Sequence, residues 1–322
     1  MKTAASKGSA VIPRRTGLFL AALLLGATVP LDLLRGSAPQ RKSPGIRVET
    51  NLVNILASVQ TSDGHPVVDL ARDAFSAFEE GQPQEIDRFE ADTNQPLDLA
   101  LMIDTSLSTL KDLKFEGEAA AHFIRQVVRP GDRLSVFQFS DDVTQLSEFS
   151  SDVPALQAAA RRIYNGAGTA MYDAILLGSR SLQKGVSDRR RVIVLVTDAG
   201  ETTSRTNFDN ARQGAIASSA LLYSIVIRPI KSESGRNTAG EHALETITDT
   251  TGGDMFYLDS LDQLDAMFDR VDRELRTQYL LGYYPRPAPP PGTYRHIELR
   301  VKGDYVVRYR KGYITAGTTA SR

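Results

Sequence analysis

From about residue 97 the chain alternates between short apolar runs and segments with helical periodicity. "LDLALMID" (97–104) is apolar with few breaks, as expected of a strand buried on both faces. Leu110, Leu113, Gly117, Ala120, Ala121, Ile124, Val127 and Val128 then recur at three- and four-residue steps, predicting a helix near 109–128. "RLSVFQFS" and "VTQLSEFS" read as strands of a hairpin turning at Asp141-Asp142, followed by a helix near 152–163. "GAGTAMYDAILLGSRSLQKG" opens as a glycine-containing loop and continues as a helix with Ala170, Ala174, Leu177 and Leu182 near its buried face. "RRRVIVLVTD" is the most apolar strand. "NFDNARQGAIASSA" predicts a helix, "LLYSIVIRP" a strand, "AGEHALETITDTTGG" a helix, "DMFYL" a strand, and 259–276 a last amphipathic helix. About six strands and six helices over 97–276 predict one doubly wound, mostly parallel α/β domain.

The flanks follow a two-residue period instead. Residues 46–95 read as β-rich, with turns at Asp63-Gly64 and Glu80-Gly81. After the last helix, 277–316 returns to alternation in "QYLLGYYP", "HIELRVK" and "YVVRYRKGYI", joined through the proline-rich "RPAPPPG". The expectation is a small β module made by pairing of the two flanks, with the α/β domain inserted between them; independent modules at the two ends are the alternative.

The first 38 residues differ from both. Lys2, Lys7, Arg14 and Arg15 precede the apolar stretch "TGLFLAALLLGATV" (16–29), and small residues follow. This is the pattern of a secretory signal peptide, with an uncleaved N-terminal anchor as the alternative. The apolar stretch is short for a membrane span, which needs about 20 residues. Membrane contact is therefore expected only through an uncleaved N-terminal segment, and the location is expected to be secreted, periplasmic or cell-envelope associated.

Composition narrows the chemistry. The 322 residues include no cysteine, which excludes disulfides and thiolate metal sites. Without residues 1–38 the balance is 33 basic to 38 acidic residues, which argues against nucleic-acid binding. The basic run "DRRR" (188–191) directly precedes a strand and reads as a solvated strand entry.

Oxygen side chains stand at the strand ends. Asp104, Ser106 and Ser108 follow the first α/β strand at alternate positions. Thr169 precedes a helix in "NGAGTAMYD", and Asp198 ends the central apolar strand. Ligands of parallel sheets bind at the carboxyl ends of the strands, near the point where strand order reverses. Two carboxylates and three hydroxyls suit a hard divalent cation, Mg²⁺ or alternatively Mn²⁺, with a coordination position left open. Taken singly, each residue is equally explained as a cap or turn residue.

These residues resemble the metal-ion-dependent adhesion site of von Willebrand factor type A domains. The matching segments are "DTSLS" (104–108), "GAGTAMYDA" (166–174) and "VTDAGE" (196–201). The flanking "AFEEGQPQEI" (77–86) and the terminal "YLLGYYP" and "RKGY" resemble bacterial secreted proteins that carry this domain. The resemblance implies a Rossmann-like fold over 97–276. It also implies Mg²⁺ held by Asp104, Ser106, Ser108, Thr169 and Asp198, and a protein partner whose Glu or Asp carboxylate completes the metal shell. Two positions depart from the pattern: Leu107 stands where glycine is common, and Ala199 separates Asp198 from Gly200. No catalytic residue is expected. His65, His122, His242 and His296 are scattered, and "NGAGTAMYD" lacks the Gly-Lys-Ser/Thr of a phosphate loop. The rival readings are an envelope-assembly protein with a non-essential metal site and a Mg²⁺-dependent Asp-based phosphotransfer enzyme. The latter usually adds a lysine near the phosphate, and Lys184 and Lys231 are remote from the three segments.

Overall fold

The computed structural model describes residues 52–91, 95–106, 113–185, 188–228 and 237–315. The N-terminal basic-apolar segment, Leu107, Ser108 and Lys231 lie outside the described residues. The chain begins in the β flank with β1 (Val53–Gln60), β2 (Phe75–Glu79), β3 (Gln82–Gln84) and β4 (Arg88–Glu90). The β2–β3 hairpin turns on Glu80 and Gly81, both at positive φ (48° and 76°), the geometry of a tight primed turn.

The α/β unit follows. β5 (Leu97–Asp104) leads into α1 (Leu113–Val127), then β6 (Arg133–Phe139), the short antiparallel β7 (Val143–Gln145) and α2 (Val153–Ala160). The Asp152 side chain caps α2 by accepting from Ala155 N at 3.1 Å. α3 (Met171–Gln183), β8 (Arg190–Thr197), α4 (Phe208–Ser218), β9 (Leu221–Ile227), α5 (Thr238–Thr251), β10 (Met255–Leu258) and α6 (Leu264–Arg276) complete it. The last helix starts later than its periodicity suggests. Residues 261–263 form a 3₁₀ turn, and the Gln263 side chain accepts from Asp259 N before α6 begins.

The six strands lie in the order β10-β9-β8-β5-β6-β7, all parallel except β7. Side chains of β5 alternate between two cores. Leu97, Leu99, Leu101 and Ile103 join α1, α2 and α6 on one face. Ala100 and Met102 join α3, α4 and α5 on the other. Burial on both faces explains the near-continuous apolar runs of β5, β8 and β9. Leu177 departs from expectation: it is 40% exposed, while Ile175 and Gly178 face the core. A Cβ at Gly178 would stand 2.8 Å from Met102 Sδ, so the close approach of α3 to β5 runs through 171, 174, 175, 178 and 182 and leaves 177 outside.

The chain ends in β11 (Tyr279–Tyr283), β12 (Tyr294–Val301), β13 (Val306–Tyr309) and β14 (Gly312–Ile314). The flanking strands form two four-stranded sheets, β13-β1-β11-β4 and β14-β12-β2-β3. In the first, Val53 stands opposite Tyr283 and Ala57 opposite Tyr279; in the second, Ile297 opposes Glu79 and Val301 opposes Phe75. Ile55, Val59, Phe75, Ala77, Tyr279, Leu281, Ile297 and Leu299 fill one core between them, which makes a β-sandwich.

The sandwich is joined to the amino-end side of the α/β sheet. Glu274 of α6, 2% exposed, accepts from Tyr223 Oη at 3.0 Å, Gln60 Nε2 at 3.2 Å and Arg308 Nη2 at 2.5 Å. Arg308 also meets Asp254 at 3.2 Å. At Gly252, which ends α5 with φ 84°, a Cβ would fall 2.2 Å from the Tyr309 carbonyl carbon, so α5 turns directly beneath β13.

Candidate functional site

Asp104 ends β5 at the one place where the sheet order reverses: the chain goes on to β6 on one side of β5 and later to β8 on the other. Its side chain is 1% exposed. Oδ2 accepts from the Thr197 hydroxyl at 2.6 Å, and Oδ1 accepts from Ser106 N at 3.0 Å. Burial pushes the carboxyl up to about 6, and the neighbouring charge of Asp198 adds to the rise. Hydrogen bonds from Thr197 and from the Ser106 side chain and backbone act the other way.

The second arm is the loop entering α3. Thr169, 5% exposed, is held between two elements. Its N–H donates to the Thr202 hydroxyl at 2.9 Å, and its carbonyl accepts from Thr202 N at 2.9 Å. The glycines ahead of it permit close approach to the β6 end. A Cβ at Gly166 would sit 2.1 Å from Ser140 Oγ, and one at Gly168 would sit 2.4 Å from Thr203 Cγ2. Asp141, just past β6, clamps the loop by accepting from Ala167 N at 2.7 Å and Gly168 N at 2.9 Å. Gly166 N in turn donates to Thr105 O at 3.0 Å, tying this loop to the end of β5.

The third arm leaves β8. Asp198 is half-buried, and its Oδ1 accepts from Gly200 N at 2.8 Å. Asp198 Oδ1 and Thr169 Oγ1 border a common point: a Cβ added at Gly200 would lie 2.9 Å from the first and 3.3 Å from the second. Ala199, fully buried, takes the left-handed φ of 63°, a conformation that costs a non-glycine residue roughly 1–2 kcal/mol. The departure noted at this position is thus accommodated by backbone strain. Ala199 O also packs against Gly240 of α5, where a Cβ would come within 1.9 Å.

Asp104, Ser106, Asp198 and Thr169 therefore converge at the carboxyl end of β5 and β8, while Ser108 lies outside the described residues. Thr197 carried no reading in the sequence, Asp141 was read only as a turn of the β6–β7 hairpin, and Glu201 only as an acid close to the motif. Thr197 orients Asp104. Asp141 clamps the Thr169 loop, and its position directly after a strand neighbouring β5 was the available signal. Glu201 holds the entry of α3, accepting from Tyr172 N at 2.9 Å and from Ser204 N and Oγ at 2.9 and 2.8 Å. Asp173 accepts from Arg205 N and Thr206 N at 2.9 Å each, so it pins the loop after β8. Lys184 follows the far end of α3, about 20 Å of helix away from Thr169.

The donor set is oxygen only. Among the described residues no three His, Cys, Asp or Glu side chains cluster as a metal cage. What the strand ends supply is a pair of carboxylates with hydroxyls, one carboxylate being buried and reluctant to ionise. A hard divalent cation is the partner that such a set fits, since its charge would offset both carboxylates.

An open, mostly parallel sheet with polar side chains gathered where its strand order reverses defines a doubly wound α/β binding domain. Residues 99–201 match the sequence profile of the von Willebrand factor type A domain, and the α/β unit is a domain of that family. No curated protein matches the chain. Among solved structures, the chain is similar to a von Willebrand factor type A protein from Catenulispora acidiphila. Identity is 12% and TM-score 0.48, over 84% of this chain and 75% of that one. It is similar to the vWF domain of the type V pili tip protein Mfa5 from Porphyromonas gingivalis at 13% identity and TM-score 0.48, over 57% and 96%. It is also similar to the conserved hypothetical protein BatB from Bacteroides thetaiotaomicron at 15% identity and TM-score 0.43, over 56% and 98%.

Proposed function

We propose that this chain is a protein-binding module of adhesion type, working outside the cytoplasm or at the cell envelope, without catalysis. A divalent cation, Mg²⁺ or Mn²⁺, is held by Asp104, Ser106, Ser108, Thr169 and Asp198, directly or through water, and a Glu or Asp carboxylate of the partner completes its shell. The observation that carries the reading is the buried Asp104. A chain keeps a carboxylate 1% exposed beside a second one at a strand end only against a cost, and a bound cation removes that cost. The match of residues 99–201 to the von Willebrand factor type A domain supports it. The N-terminal basic-apolar segment motivates the location.

Two exposed aromatics stand at the same end of the sheet. Tyr164 is 56% exposed in the loop that runs to Thr169, and Phe115 is 43% exposed in the first turn of α1. Aromatic side chains around a charged centre are what a partner surface buries to exclude water from an ion bridge. The sandwich contacts the α/β unit at the opposite end and leaves this role to the loops.

The test is a peptide array carrying matched Glu and Gln peptides, probed with the full chain in Mg²⁺ and in EDTA. The reading predicts capture by Glu peptides in Mg²⁺ and its loss in EDTA. Capture that is equal in EDTA, or equal on Gln peptides, contradicts the carboxylate bridge.

A further inference from the structure

The run Asp188-Arg189-Arg190-Arg191 is not the solvated strand entry that its composition suggests. Arg190 is 3% exposed, and the run borders a cavity of about 420 Å³. The cavity lies between the amino ends of β8 and β9 and the outer face of the β13-β1-β11-β4 sheet, at the end of the molecule away from Asp104. Its volume falls within the ~300–1,000 Å³ typical of ligand pockets. Arg88, Arg189, Arg190, Arg191 and Arg310 line it, and the exposed Asp188 is the one acid among the lining residues.

The five arginines are not equivalent. Arg88 is paired with Glu90 at 2.6 Å, and Arg189 with Asp98 at 2.5 Å. Arg190 donates to the carbonyls of Leu275 at 2.6 Å and Gln95 at 2.9 Å, bracing α6 and the entry to β5. Arg191 and Arg310 meet no carboxylate among the described residues. Arg191 Nη1 donates to Ser218 O at 3.0 Å. Arg310 donates to Ser219 Oγ at 3.0 Å and to Asn54 O. The Nε of each is buried without an acceptor. Arg212, Arg228 and Arg308 also leave a buried Nε unbonded, but Arg228 and Arg308 have Glu241 and Glu274 as counter-charges and Arg212 does not line the cavity. At Arg191 and Arg310 burial holds the guanidinium below its usual range. The distant Asp98 opposes this at Arg191, and Tyr283 and Tyr313 oppose it at Arg310. Both side chains are half-buried with their Nε enclosed, and a partly desolvated cation without a counter-charge is a ready partner for a bound anion. The rest of the wall is mixed: Asn54, Gln95 and Ser219 are polar, and Leu52, Leu56, Leu221 and Leu280 supply its apolar part.

We propose that this cavity binds an organic anion, whose carboxylate or phosphate head is taken by Arg191 and Arg310 and whose apolar body lies against the four leucines. The planar guanidinium fork matches either head group. The site is separate from the cation site and does not depend on it.

The experiment is isothermal titration of the full chain in EDTA with octanoate, octyl phosphate, octanol and inorganic phosphate. EDTA makes the result independent of the metal reading. The expected result is one-to-one binding of octanoate or octyl phosphate, at least tenfold tighter than octanol or inorganic phosphate, and the tighter of the two names the head group. Arg191→Met and Arg310→Met are each expected to weaken binding about tenfold or more. Arg191→Met serves if Arg310→Met, which also removes the hydrogen bonds to Ser219 and Asn54, does not fold. Absence of binding by both amphiphiles in the wild-type chain overturns the proposal. So does octanol binding as tightly as octanoate, inorganic phosphate binding as tightly as octyl phosphate, or an affinity unchanged in a folded arginine variant.

Discussion

Asp104→Asn is expected to make the metal-free protein more stable while abolishing its response to metal. Asn keeps the shape of the side chain and both contacts: Oδ1 still accepts from Ser106 N, and the amide can donate to Thr197 Oγ1 where the acid accepts from it. What disappears is a buried charge. The Asp104 carboxyl is raised from 3.8 to about 6, so the folded state binds the proton more tightly than the unfolded chain. The sign follows by linkage. With more protons bound in the folded state between these values, stability falls as pH rises from about 4 to about 6 and stays low above that. At about 1.4 kcal/mol for each pH unit, the ionised side chain destabilises the metal-free fold by roughly 3 kcal/mol at neutral pH. In a domain of this size that is about 6–12 °C in Tm. The assay is thermal unfolding by circular dichroism in EDTA, at pH 4 and pH 7.5, for wild type and Asp104→Asn. The wild-type curve should drop between the two pH values by that amount relative to the variant. Parallel curves would refute the claim that Asp104 is buried and reluctant to ionise.

Three further outcomes follow from the same contacts. Thr197→Val removes the donor to Asp104 and the acceptor of Ala199 N, and should lower metal affinity about 10- to 100-fold by calorimetry, with the fold retained. Gly240→Ala drives a Cβ into Ala199 O and should cost about 1–3 kcal/mol in urea denaturation, because the obstacle is backbone that cannot rotate away. Glu274→Gln removes one of the two carboxylates of Arg308, Asp254 remaining, and should cost about 1–3 kcal/mol in the same assay, with metal affinity unchanged because the contact lies at the far end of the sheet.

The α/β layer order was readable because strands buried on both faces must be apolar along their length, and β5, β8 and β9 are. Asp104 and Asp198 stood out for the same reason, as acids closing such runs. Other features have no short-range signature. Leu177 fits helical spacing but faces solvent, because only the glycine at 178 decides how closely α3 meets Met102. The assignment of β12 to one sheet and β13 to the other depends on partners more than 200 residues away. Thr197 reads as an ordinary strand residue until β5 and β8 are laid side by side. The "DRRR" run misleads because charge alone says solvent, whereas Arg189 and Arg190 are consumed by Asp98 and by carbonyls that only the tertiary fold brings to them.

The central claim is that the strand ends of this α/β domain hold a divalent cation. The most direct measurement is thermal unfolding of the full chain in EDTA and in saturating Mg²⁺, for wild type and Asp104→Asn. The account predicts a metal-dependent stabilisation of the wild type, about 2.7 kcal/mol at a hundredfold excess of Mg²⁺ over Kd, and none in the variant. A wild-type transition indifferent to Mg²⁺, or an equal shift in Asp104→Asn, would contradict it.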